Sequence, residues 1–226
     1  MPMTPQERKR LLDERRARLK VENEIDDAIL VDSLDETQPM EFKPDSPAER
    51  MESQIIPATA QDDRNVAGGL RESMKYKEHF DAAEAANQLP PGMLMAVASI
   101  ESSGNPAAIG PQTKYGQAKG LMQFMEATAG EYGLEIDEKN NIDERLDPVK
   151  SIYAAGAMLK DALRRSDGNI EQALLQYNWG PGNWGKWTRK QQGFESMPLE
   201  TRSYIGKFRS ALNQYHRMSD AQQVAR

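Results

Sequence analysis

The sequence predicts an all-α domain, and three observations carry that reading. Helix start and stop signals recur from about Val66 onwards, β-branched alternation is absent, and the composition changes where those signals begin. Ahead of the domain, which is expected over 67–226, the same reading puts a charged N-terminal helix at residues 1–30. A disordered acidic linker at 31–66 joins the two.

The elements follow in chain order. Over residues 4–30, Leu11, Leu12, Leu19, Ile25 and Ile29 form a thin apolar stripe among many charges. This is either a solvated helix or a docking helix for a larger assembly. Pro39, Pro44, Pro47 and Pro57 then punctuate a stretch with three basic and nine acidic residues, a balance that accounts for the whole net charge of −6. Beyond it, Pro90-Pro91 precedes an apolar helix over Met93–Ile100, and a second helix is expected over Leu121–Tyr132, ended by Gly133. Asp147-Pro148 is an N-cap and N1 pair for Val149–Leu163. Asn169 can cap Ile170–Tyr177, and Pro198 opens a last helix to about Tyr215.

Composition excludes several function classes. The 226 residues contain no cysteine, and the two histidines, His79 and His216, stand apart, so neither a thiolate nor a structural zinc site is expected. No basic stripe marks a nucleic-acid partner, and no apolar run is long enough to span a membrane. Met1–Lys20 is charged throughout, without the apolar stretch of a secretory signal.

Four segments carry candidate chemistry. The first runs from Met93 to Glu101, where Leu94, Val97 and Ala98 share the face of Glu101 and direct the carboxyl towards a core or a cleft floor. Ser102-Ser103-Gly104-Asn105-Pro106 then ends the helix, leaving the carboxyl at a mouth. Burial there raises a carboxyl pKa towards what a general acid needs, although a glutamate paired with an arginine fits the segment equally. The second is Gly120-Leu121-Met122-Gln123, with a glycine for close backbone approach and an amide that both donates and accepts. The third is the break at Tyr177-Asn178-Trp179-Gly180-Pro181, and the fourth the helix start from Pro198 through Glu200-Thr201 to Tyr204.

In this order, Glu101-Ser102, Asn105-Pro106, Gly120–Gln123, Tyr177-Asn178 and Pro198 to Tyr204 resemble the catalytic domain of the soluble lytic transglycosylase (SLT) family, across about residues 76–215. The resemblance implies a lysozyme-like helical fold and an enzyme acting on peptidoglycan glycan strands. It makes Glu101 the catalytic acid/base, with Met122, Gln123, Tyr177, Asn178 and Tyr204 lining the cleft. Met122 reads equally well as a core residue, and the lesser alternative for Tyr204 is a core tyrosine with its hydroxyl satisfied. The implied reaction is substrate-assisted: one glutamate cleaves the bond between N-acetylmuramic acid and N-acetylglucosamine and closes a 1,6-anhydro ring, with no metal or cofactor. The alternatives are a hydrolysing lysozyme-type muramidase and a non-catalytic assembly protein that binds cell wall.

Three features depart from the family pattern. The stretch Ala107–Lys119 is longer than usual, Gly110 stands where the family has a serine, and Glu126 replaces a proline. Glu126 reads as a solvated first-turn residue or, alternatively, as a second cleft carboxylate. Trp179, Trp184 and Trp187 are expected in a turn after Asn178, as a small satellite core or as a sugar platform. A wall-cutting domain without a secretory signal suggests a bacteriophage virion protein acting in the host periplasm, tethered through residues 1–30. A bacterial secretion apparatus of the envelope is the alternative.

Overall fold

The computed structural model describes residues 54–190 and 192–224. All described residues belong to one compact unit, Pro47–Arg226. The helix expected at 1–30, and the linker as far as residue 53, lie outside the described residues.

The first described helix, α1 (Ala60–Ser73), begins inside the stretch expected to be linker. Thr59 and Asp62 form a capping box: Asp62 N–H donates to Thr59 Oγ1 at 3.1 Å and Thr59 N–H to Asp62 Oδ2 at 2.9 Å. Asp62 and Asp63, which make this stretch look like acidic linker, are first-turn residues complementing the helix dipole. Val66, Gly69, Leu70 and Ser73 form its buried face.

After α2 (Lys77–Ala86) comes α3 (Met93–Glu101), in which every residue from Met93 to Ser99 is buried. A helix apolar on all sides has to be enclosed. Here α1, α2, α5 (Pro148–Arg164) and α8 (Leu199–Val224) all pack against it.

The second expected helix is much shorter than the sequence suggests. Residues 120–124 form a turn, and α4 covers only Glu126–Glu131. Gly120 and Gln123 both take positive φ, +82° and +49°, which a helix interior excludes. A Cβ at Gly120 would lie 1.7 Å from the Arg145 carbonyl oxygen, so only glycine fits there.

Strands are confined, among the described residues, to a two-residue antiparallel pair, β1 (Ile136–Asp137) and β2 (Ile142–Asp143), with Ile136 opposite Asp143. Asp147 caps α5 by accepting from Val149 and Lys150 N–H, and Asn169 caps α6 (Ile170–Trp179) through Gln172 N–H. The stretch read as a tryptophan-bearing turn is itself helical. Trp179 ends α6, while Trp184 and Trp187 lie on α7 (Pro181–Arg189), because Pro181 restarts the helix directly after Gly180. No described helix is long and apolar enough to cross a membrane.

Candidate active site

A cleft of about 540 Å³ opens where the C-terminal end of α3 meets the 107–125 loop, the end of α6 and the start of α8. Glu101, Met122, Gln123, Tyr177, Asn178 and Tyr204 all line it. Glu101 is half-buried, and no arginine pairs with it among the described residues. Its Oε1 accepts a 2.7 Å hydrogen bond from the Tyr204 hydroxyl. Burial pushes the Glu101 carboxyl up to about 7 from an ordinary 4.5, the Tyr204 hydrogen bond opposes this, and the charge of Glu200 adds to the rise. Near neutrality Glu101 therefore retains a substantial protonated fraction, able to give up its proton.

The tyrosines hold this corner together. Burial and the nearby Glu101 keep both phenols well above their usual range, so each stays a hydrogen-bond donor. Tyr204 is 3% exposed, as a core tyrosine would be, but the partner that satisfies its hydroxyl is Glu101 itself. Tyr177 donates to the Met122 carbonyl at 2.8 Å, which pins the 120–124 turn to α6. Met122 is fully buried and contributes to the cleft wall from the core side.

The two amides behave differently. Gln123 donates to the carbonyls of Gly120, at 2.8 Å, and Ala108, at 3.3 Å, so its NH₂ fastens the loop and is not held in reserve for a sugar. The side-chain amide of Asn178 makes no hydrogen bond among the described residues and faces the cleft. Ser102 donates to the Leu121 carbonyl at 2.8 Å, tying the end of α3 to the same turn.

The longer loop forms a wall of the cleft through Pro111, Thr113 and Ala118. Its base is closed by Gly110 N–H donating to the Ala118 carbonyl at 2.8 Å and by a bridge between Ile109 and Lys119. At Gly110 a Cβ would stand 3.1 Å from Gln123 Oε1, so a side chain there would press on the fastening amide. Arg145 anchors the far side of the wall. It is buried, forks onto Asp143 with two 2.7 Å bonds, and donates to the Gln117 carbonyl at 3.0 Å. That fork, with Lys119 beside it, holds the Asp143 carboxyl down to about 2.

Trp179 lines the cleft, whereas Trp184 and Trp187 pack on each other, 5.1 Å between ring centroids, and against the core. Glu126 is exposed and does not line the cleft, in keeping with a first-turn role.

Sequence reasoning gave no role of their own to three charged residues. Glu200 and Lys207 share the cleft face of α8 with Tyr204, and their helical spacing from that tyrosine was a usable signal. The third, Glu84, is 3% exposed on the inner face of α2. Its carboxylate accepts from Gly92 N–H at 2.8 Å and Leu94 N–H at 2.7 Å, capping the start of α3. Burial pushes it up to about 7 despite those two bonds. Its proximity to the apolar Phe80 and Ala83 was the available signal.

A helical domain with a half-buried glutamic acid at the lip of a cleft offers a carboxyl group with the pKa of a general acid. Similarity to known proteins agrees with it. The Transglycosylase SLT domain matches residues 78–198, just over half of the chain, and the chain belongs to that family. It is 34% identical to the peptidoglycan transglycosylase gp16 of Escherichia phage T7, over 58% of this chain and 10% of that protein. It is 31% identical to the membrane-bound lytic murein transglycosylase F 2 of Alkalilimnicola ehrlichii, over 48% of this chain and 23% of that one. The fold is similar to that of an inactive mutant of the lytic transglycosylase Slt from Pseudomonas aeruginosa. The TM-score is 0.53 at 22% identity, covering 67% of this chain and 25% of the other. The chain thus spans a tenth to a quarter of the length of these relatives.

Proposed function

We propose that the chain is a peptidoglycan lytic transglycosylase that cuts the β-1,4 bond between N-acetylmuramic acid and N-acetylglucosamine. The observation carrying this is the half-buried Glu101, raised to about 7 and held by Tyr204 at the edge of a cleft. In the forward step Glu101 gives its proton to the glycosidic oxygen as the bond breaks. The acetamido oxygen of the muramic acid attacks its own anomeric carbon, so no carboxylate nucleophile is needed. The Glu101 carboxylate then takes the proton of the 6-hydroxyl, whose oxygen displaces the acetamido group and closes the 1,6-anhydro ring. The proton gained balances the proton given, and no cofactor takes part. Tyr204 keeps one carboxyl oxygen occupied, which directs the proton through the other, and Asn178 supplies an unengaged amide for the sugar.

One observation favours a second reading. Glu200 also lines the cleft and is exposed, so a water activated there would make the enzyme a hydrolysing muramidase. For delivery, the likeness to a phage T7 protein supports a phage origin, and our reading is carriage in a virion with residues 1–30 as the tether. The bacterial relative supports the alternative of an envelope apparatus.

Glu101→Gln tests the central assignment. The amide keeps the shape but transfers no proton, so cleavage of purified glycan strands should fall roughly a hundredfold to ten-thousandfold. The same variant should be more stable than the native chain above about pH 7, because it escapes the cost of ionising a buried carboxyl. Near-native turnover by a folded Glu101→Gln variant would refute the assignment.

A further inference from the structure

We infer that Lys207 makes the cleft selective for glycan strands carrying anionic peptide stems. This rests on the reading of the chain as a glycan-cleaving enzyme and adds the feature of the substrate that it recognises. Of the described residues lining the cleft, Lys207 is the one cation. On α8 it follows Tyr204 by three residues, while Glu200 precedes that tyrosine by four, so all three share one helix face. The Tyr204 hydroxyl reaches Glu101, which puts the scissile bond between an acidic and a basic end of the cleft. Seven helical residues separate those ends by roughly 10 Å, about one Debye length, so an anion beside Lys207 is largely screened from Glu200.

Lys207 is only loosely engaged. Its ion pair with Asp62 measures 3.5 Å, and its side chain remains 32% exposed. The other Asp62 oxygen already accepts from Thr59 N–H and Oγ–H in the capping box, so Asp62 has a structural role of its own. A lysine ammonium has three donors, and this one has room for a further acceptor. The sugar rings of the strand are neutral. The carboxylates of the substrate hang from the lactyl ether of muramic acid, on the stem, and these alone bring a charge opposite to that of the lysine.

The test uses the full chain and one set of peptide-bearing strands, N-acetylated and then either left anionic or capped as neutral methylamides on their stem carboxylates. The native enzyme should have a kcat/KM about tenfold higher on the anionic strands, the scale of one charge-assisted hydrogen bond. Lys207→Met should lose the preference, cutting both substrates with equal kcat/KM, and Lys207→Arg should restore it. A native enzyme indifferent to capping, or a preference that survives in Lys207→Met, overturns the inference while leaving the enzyme reading intact. A native enzyme that cuts neither substrate overturns both.

Discussion

At Glu101 two opposed effects meet. Burial drives the carboxyl up, the Tyr204 hydroxyl pulls it down, and the outcome is an acid with a pKa of about 7. On the proposed mechanism the protonated form starts the reaction, so kcat/KM should be flat on the acid side and fall as pH rises through about 7. Tyr204→Phe removes the hydrogen bond that favours the carboxylate, which raises the Glu101 pKa. The alkaline limb should therefore move to higher pH even as the rate falls about tenfold from lost orientation, a shift a pH–rate profile reads directly. At this scale much is legible in the sequence. Glu101 can be found because three apolar residues share its face and a Ser-Gly-Asn-Pro break follows. Gln123 is less legible. An amide beside an apolar run needs partners, but only the folded loop reveals that the carbonyls of Gly120 and Ala108 supply them before any sugar arrives.

The helix bearing Glu101 is held at both ends. At its start, Glu84 accepts from Gly92 and Leu94 N–H, two donors that the helix itself cannot satisfy. At its end, Ser102 bonds to the Leu121 carbonyl and Tyr204 to Glu101. Glu84→Ala orphans both buried donors and should cost ~1–3 kcal/mol in chemical denaturation. The Glu84 pKa is raised on folding, so its stabilising contribution is fully present below the unfolded value of 4.5 and declines as pH rises through about 7. The deficit of the alanine variant should accordingly be larger near pH 5 than near pH 8. Helix starts marked by Asp147-Pro148, Asn169 and Pro198 can be read from sequence because their caps act locally. The 120–124 turn cannot, because the cause lies elsewhere in the chain: the Arg145 carbonyl excludes a Cβ at Gly120, and Tyr177 fixes the Met122 carbonyl.

Across the whole domain, α3 sits enclosed by four helices with one end open to a cleft, which fixes Glu101 at the cleft's lip. Helical structure begins several residues before the composition changes, because Asp62 and Asp63 carry the charge of a linker and the role of a first turn. Glu200 leaves the chemistry open to one contest, water against the 6-hydroxyl of muramic acid. Mass spectrometry of the fragments released from purified glycan strands in heavy-oxygen water decides it. Ring closure by the 6-hydroxyl should give muramic ends that are lighter by one water than a reducing sugar and free of the label. Reducing ends carrying the heavy oxygen would contradict it.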